Sequence, residues 1–391
     1  MKSVADFDVN NKKVIVRCDL NVTLKDGVIL NDDKIRASLT TINYLIKNNA
    51  KVIIMSHLGK VKTEEDKKDK SLRVVYERLR ELLPDNVLLY FSEQTRGKEL
   101  EGLVSEMKPG NVLLMENTRF EDILDKKESN NNDDLASYWA SLGDIFINDA
   151  FGNSHRQHAS NCAITKYIES GIGFLMEEEL NKLDILLNPE APFVVIMGGA
   201  KALDKISIMP SILDKCDYIL LGGGLANTFL SIYNEVGKSL ISEESKAEVK
   251  EILIKYANKI ILPIDLTVEN QQNIMIKEIN ELNSDDCIYD IGPKTIDLFE
   301  RYINYAKTIF LNGTVGMYED QRFELGTKNI LNLCSQAKGR VVLGGGDALA
   351  SADHFKLNNF YFKSTGGGAT LEYIGTGQLA CQIIQNGISL K

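Results

Sequence analysis

Nine short apolar runs punctuate the chain, with helix-period segments in the intervals between them. In the first half the runs are KVIVRC (13–18), KVIIM (51–55), NVLLM (111–115) and DIFIN (144–148). In the second they are FVVIM (193–197), YILL (218–221), KIIL (259–262), KTIFL (307–311) and RVVL (340–343). Consecutive apolar positions suit a strand covered by helices on both faces. Strands alternating with amphipathic segments such as SLRVVYERLRELL (71–83) and KAEVKEILIKYA (246–257) predict an α/β chain of parallel sheets. A chain of 391 residues exceeds one ordinary core, so two domains are expected. GFLMEEELNKLDILL (173–187) reads as a long helix between the two sets of strands, and NPEAP (188–192) breaks the pattern after it. The boundary therefore falls near 170–190. Segments 60–71 and 121–134, charged or Asn-rich, are expected to be surface loops without function.

The two halves end their strands differently. Gly-Gly pairs are absent before residue 198, then come as GGAK (198–201) and GGG at 222–224, 344–346 and 366–368. Glycines between a strand and a helix let backbone N–H groups approach a ligand, and the helix N-terminus favours an anion. The second half is thus expected to cradle phosphates. First-half strands end instead in RCDLN, MSHLGK, MENTRF and INDAFGNSHR, which would set Arg17, Asp19, Asn21, His57, Lys60, Arg119, His155 and Arg156 around one mouth, joined by Arg36. Several arginines at a strand edge suit a small phosphate or carboxylate, which guanidinium groups grip bidentately. A nucleotide beside a small acid is the combination a small-molecule kinase handles.

The net charge of −10 argues against non-specific binding to nucleic acid or a membrane surface. No apolar stretch approaches the length of a membrane span. The first residues, MKSVADFDVN, lack a basic-then-apolar signal, and the six cysteines form no CxxC pair, so a cytoplasmic location is expected. A P-loop, a dinucleotide fingerprint and protein-kinase elements are all missing. His155 and His158 have helical spacing but no evident third metal ligand. Asp347, directly after a glycine cluster, is better placed to hold Mg²⁺ while neighbouring amides hold phosphate; a plain helix N-cap is the alternative. Lys201 and Lys205, four apart after GGA, are placed to meet phosphate.

At these residues the chain resembles the phosphoglycerate kinase family nearly end to end. RCDLN (17–21), SHLGKVKTEEDK (56–67), ENTRFED (116–122), YWASLGD (138–144) and NDAFGNSHRQHAS (148–160) follow the family pattern. GGAKALDKI (198–206), GGGLANTFL (222–230), DIGPKT (290–295), NGTVGMYE (312–319), GGGD (344–347) and STGGGATLE (364–372) continue it in order. The resemblance implies two Rossmann-like lobes of parallel sheets flanked by helices and joined by a hinge. Residues 1–170 would bind 3-phosphoglycerate, 171–187 would connect, 188–375 would bind nucleotide, and the tail 376–391 would pack back on the first lobe. It implies a monomer, with reversible phosphoryl transfer between MgATP and 3-phosphoglycerate giving 1,3-bisphosphoglycerate and MgADP. The acid site would be Asp19, Asn21, Arg36, His57, Lys60, Arg119 and Arg156. Arg36 would steady the reacting carboxylate and Lys201 the phosphoryl group in transfer. Lys201, Lys205, Gly292, Asn312, Gly313, Glu319, Gly345, Gly346, Asp347 and Ala348 would form the nucleotide site, with Asp347 on Mg²⁺. Gly367 and Gly368 would aim a helix N-terminus at the transition state, where Gly345 and Gly368 would count as catalytic. An ionised carboxylate needs no general base, so positioning and charge stabilisation suffice.

Departures from the pattern concentrate in the nucleotide half. Thr314 and Val315 replace Pro-Met, Ala348 follows Asp347 where a hydroxyl is usual, and YIGTGQL replaces the usual end of the tail. In the first half, Thr23 and Val61 stand at common proline positions, and Lys60 where arginine is usual. Two readings follow: an active kinase with altered nucleotide affinity, or a paralogue that binds 3-phosphoglycerate and transfers nothing. A dinucleotide oxidoreductase is disfavoured by the missing fingerprint.

Overall fold

The structure is a computed structural model and describes residues 1–200 and 203–380. Lys201 and tail residues 381–391 lie outside the described residues. Two compact units emerge: Met1–Asn181 with Gln378–Ala380, the last described residues, and Lys182–Gly377. The division falls within the helix Phe174–Leu187.

Unit one is built on a six-stranded parallel sheet. Its strand order is Leu89–Phe91, Val112–Leu114, Lys51–Met55, Lys13–Cys18, Ile145–Asp149, Ser170–Ile172. Strand side chains alternate between faces, and the core divides accordingly. Val14, Val16, Val52, Ile54, Val112, Leu114 and Ile147 belong to one buried cluster; Ile15, Ile53, Leu113 and Phe146 belong to the other. Each such side chain contributes about 1.5–3 kcal/mol on burial. The helix Asp33–Lys47 buries Ile35, Ser38, Thr41, Ile42 and Leu45, the three-to-four spacing of a helix lying on a sheet.

Unit two carries a second six-stranded parallel sheet, ordered Ile260–Ile261, Tyr218–Leu221, Phe193–Met197, Thr308–Asn312, Arg340–Gly344, Phe362–Ser364. Counted along the chain, that order is 3-2-1-4-5-6, the Rossmann arrangement, and it reverses direction between Phe193–Met197 and Thr308–Asn312. Every residue of those two central strands is buried. The parallel α/β architecture thus follows the apolar runs, with additions at the edges and outside the two main sheets. Three short edge strands, Leu89–Phe91, Ser170–Ile172 and Phe362–Ser364, were not anticipated. Nor was an antiparallel sheet of Asn273–Glu278, Asp265–Asn270 and Cys287–Ile291. No helix among the described residues is long and apolar enough to cross a membrane.

Candidate functional site

In unit one the strand ends carry a cation-rich edge. Asp19, just past the central strand, accepts from Lys34 Nζ at 2.9 Å and from the Asn21 backbone N–H at 3.3 Å. Asn21 Oδ1 in turn accepts the Gly59 N–H at 2.8 Å, tying the first loop to the SHLGK loop. Asn117 clamps the same loop from the other side: its Nδ2 donates to Leu58 O and Lys70 O, both at 2.8 Å, and its Oδ1 accepts the Arg119 N–H at 3.0 Å. Buried Glu116 accepts from Ser71 Oγ and the amides of Leu72 and Asn117. Arg119 opens from a short 3₁₀ turn, donates to Asp122 at 2.9 Å and to Ser129 Oγ, and its side chain is 12% exposed.

Three of the four histidines stand against arginines here: His57 Nδ1 is 3.2 Å from Arg17 Nη2, His158 Nε2 is 3.4 Å from Arg119 Nη2, and His155 Nε2 accepts from Arg156 Nε at 3.1 Å. Burial first, then the charges of Arg17, Arg119, Lys34 and Arg156, hold His57 well below its ordinary value. Burial and Arg119 push His158 down to about 2. Both rings are therefore neutral at physiological pH. The same interactions bring Lys34, His57, Arg119 and Arg156 into one electrostatic neighbourhood. Lys60 and Arg156 are exposed and have no carboxylate partner among the described residues. Arg36 lies on the first turn of its helix, half-exposed, with Nε on Asp32 Oδ1 at 2.9 Å; Arg78 holds the other oxygen of Asp32 at 2.6 and 2.8 Å.

Two readings need correction. Arg17 does not face the mouth: it follows Ile15 on the inner face of the central strand and is fully buried. Segment 121–134 is more than a surface loop, because Glu128 and Asp122 are buried and hold Ser160 and Arg119. Among the described residues no group of three His, Cys, Asp or Glu could hold a metal.

In unit two a cavity of about 700 Å³ opens at the strand ends. Its walls include Leu240, Pro263, Leu266, Ile288, Val315 and Met317, with Gly199, Gly223, Gly224, Glu319 and Asp347 at the polar side. These apolar walls come from separate strands and loops, and no sequence pattern groups them. Lys205, in the short helix Leu203–Ile206, donates to Gly198 O and to Asn312 O at 3.3 Å. It therefore bridges the ends of the two strands where the sheet order reverses, the place where open α/β sheets bind ligands. Burial lowers its ammonium to about 8, with Asp347 acting in opposition. Asn312 Nδ2 donates to Gly344 O at 2.8 Å, extending the bridge to the next strand.

The glycines serve two different ends. A Cβ on Gly198 would lie 2.0 Å from Thr314 O, and one on Gly222 2.5 Å from Val315 Cβ; Gly223 N–H donates to Val315 O at 2.8 Å. These glycines are required by loop-on-loop packing. Gly313, at φ +87°, would bring a Cβ to 2.4 Å from Gly198 O. Gly345 and Gly367 approach so closely that a Cβ on either would meet the other's Cα at 3.0 Å. A Cβ on Gly346 would instead meet nothing within 4 Å, so open space lies beside the first turn of its helix. Gly368 is in the first turn of the helix Gly367–Thr376. Gly292 caps the helix Pro293–Tyr305 and packs on Asp265, which accepts the Lys294 and Thr295 amides at 3.0 and 2.7 Å. The Ala348 methyl is fully buried in the core cluster with Ile330 and Leu343. Asp290, another cavity-wall residue, is raised to about 7 by burial although it accepts from Gly326 and Ile291 amides at 2.6 and 2.9 Å.

One parallel α/β unit thus offers a cleft at its sheet reversal and the other a strand edge rich in cations, sites suited to anionic ligands. The phosphoglycerate kinase family profile matches residues 4–377. Phosphoglycerate kinases of Macrococcus caseolyticus and Listeria innocua are 45% and 47% identical over 381 residues, each comparison covering 95% of this chain and 96% of the relative. Among solved structures, phosphoglycerate kinase from Coxiella burnetii matches at a TM-score of 0.82 with 34% identity, covering 98% of both chains. That from Pyrococcus horikoshii matches at 0.86 with 28% identity, covering 99% of this chain and 98% of its own. The chain belongs to the phosphoglycerate kinase family. Its activity is that of the family, an ATP-dependent phosphotransfer of glycolysis.

Proposed function

We propose that residues 1–170 with the tail 376–391 hold 3-phosphoglycerate, that 188–375 holds MgATP or MgADP, and that 171–187 connects them in a cytoplasmic monomer. Asp19, Asn21, His57, Lys60, Arg119 and Arg156 bind the acid. The observation that carries this is the supply of uncompensated positive charge at one strand edge: Lys60 and Arg156 lack carboxylate partners among the described residues, and the histidines beside them are neutral. Arg36 exchanges Asp32 for the substrate carboxylate, a swap of one carboxylate for another. The acceptor is already ionised at neutral pH, so no side chain has to remove a proton from it.

On the nucleotide side, the apolar walls take the base and Glu319 the ribose. Lys201, Lys205, Asn312 and the glycine turns at 292, 313, 345 and 346 meet the phosphates or frame them, Ala348 through its backbone. Gly345 and Gly368 place amides for the transferring group, beside Lys201. Asp347 is the residue that would hold Mg²⁺. A lone carboxylate fits that ion, which keeps its waters and takes its remaining ligands from substrate phosphates. When bound, the ion supplies charge neutralisation to the phosphoryl oxygens.

Steady-state kinetics test the division. Arg156→Ala is expected to raise KM for 3-phosphoglycerate about tenfold or more, since a charge-assisted contact is lost, with KM for MgATP unchanged. Asp347→Asn is expected to do the reverse and to raise the Mg²⁺ requirement. Both variants raising the same KM would sink the assignment.

A further inference from the structure

Glu128 has no part in the reading above, yet it is fully buried in a segment otherwise rich in exposed polar residues. Its carboxylate takes both hydrogen-bonding groups of Ser160: the backbone N–H at 2.9 Å and the hydroxyl at 2.5 Å. Ser160 Oγ also accepts from Arg17 Nε at 2.9 Å. The hydroxyl proton goes to Glu128 and the lone pair to Arg17, so Ser160 is polarised in one direction. Arg17 is fully buried; its Nη1 donates to Cys18 O at 2.6 Å, and its Nη2 stands 3.2 Å from His57 Nδ1. A guanidinium has five donors and no acceptor. His57 Nδ1 must therefore be the acceptor, which leaves the ring proton on Nε2. The imidazolium is further disfavoured by burial and by Arg119, Lys34 and Arg156. Glu128 and Asp19 are the carboxylates that act on Arg17.

We propose that Glu128 is a positioning residue: through the Ser160 hydroxyl it fixes Arg17, and Arg17 fixes His57 as the neutral tautomer whose Nε2–H is left to donate to the anionic substrate. The last clause rests on the placement of 3-phosphoglycerate beside His57. An imidazole free to choose its tautomer would offer a lone pair to an anion part of the time. The chain Glu128–Ser160–Arg17 removes that state and does so without placing another charge on the ring.

The test uses the full-length enzyme labelled with ¹⁵N-histidine, whose four histidines can be resolved by long-range ¹H–¹⁵N correlation. His57 should show an unprotonated Nδ1 and a protonated Nε2, unchanged between about pH 5 and pH 8. Ser160→Ala should give mixed tautomers at His57. It should also raise KM for 3-phosphoglycerate about three- to tenfold, the loss of one hydrogen bond, with kcat and KM for MgATP unchanged. Glu128→Gln, which keeps a hydrogen-bonding group of the same shape, should do the same to a smaller extent. A wild-type His57 that is protonated on Nδ1, or that titrates in that range, overturns the proposal even if neither variant folds. So does a Ser160→Ala enzyme with His57 and KM unaltered. Addition of 3-phosphoglycerate should move the His57 Nε2 signal; a signal that stays fixed in the stated tautomer overturns the substrate placement and leaves the tautomer result on its own footing.

Discussion

Lys205 is an ammonium that burial holds at about 8 against an ordinary 10.5. The folded protein therefore releases a proton that the unfolded chain keeps. Below about pH 8 the charged form costs the fold about 3 kcal/mol, and that cost is relieved as pH rises from about 8 towards 10.5. A nucleotide phosphate set against Nζ acts in the opposite sense, because an oxyanion favours the ammonium. Binding should then take up about half a proton near pH 8 and approach one proton a unit higher. Above pH 8 the affinity for MgATP should fall about tenfold per pH unit until the lysine of the complex itself titrates. The nucleotide does not obscure this, since phosphates with a second pKa of about 6 are fully ionised at pH 8 and above, where the slope is read. Calorimetric titration in two buffers of different ionisation enthalpy, at about pH 7, 8 and 9, reads the proton count directly. Lys205→Arg, cationic throughout, should lose both the uptake and the slope. An affinity flat from pH 7 to pH 9, or a slope that survives in Lys205→Arg, would refute the placement of phosphate on this lysine.

Two glycines give opposite expectations. Gly313→Ala forces a Cβ to 2.4 Å from Gly198 O at φ +87° and should destabilise unit two by about 1–3 kcal/mol in a denaturant titration. Gly346→Ala meets no protein atom within 4 Å, so its stability should change by about 0.5–1 kcal/mol at most while KM for MgATP rises; an unchanged KM would remove Gly346 from the phosphate site. Asp149, at the end of its strand, accepts the Met176 N–H at 3.2 Å and is raised to about 6 by burial from 3.8. For a raised carboxyl the favourable state is the protonated one, so stability is lost as pH rises from about 4 through 6. Asp149→Asn should gain on the wild type by about 2 kcal/mol between pH 4 and pH 7, whatever its fixed offset; parallel stability curves would contradict that.

Strands buried on both faces were legible because burial leaves no polar position to interrupt them: KVIVRC, KVIIM, FVVIM and YILL form strands over those very residues. The three-residue edge strands carry too few side chains for a period. The antiparallel hairpin was hidden by its turn, since Gln271 and Gln272 take φ of +48° and +69°, conformations that Asn-Gly or Gly-Gly would have announced. Its strand DLTVEN is polar at four of its six positions, and NIMIKE is exposed at all but Lys277. At the site, residue types at strand ends were readable; what each side chain touches was not. Arg17 and Arg119 look alike in sequence, yet one is fully enclosed by Ser160, Cys18 and His57 and the other is partly open. Glu128 sits in KKESNNN, where nothing distinguishes a buried acid from a solvated one.

The fit of Gly198, Gly222 and Gly223 against Thr314 and Val315 bears on how this cleft can be altered. Three loops far apart in the chain share one set of steric tolerances measured in tenths of an ångström. A loop of different sequence grafted here in place of Thr314-Val315 would present a different profile for the facing glycines to accommodate. The three segments therefore have to be altered together, as a single steric unit. Restoring the common residues at 314 and 315 alone should show non-additivity with changes at 198–199 or 222–223, whereas changes in the cation-rich edge of unit one should combine with them independently.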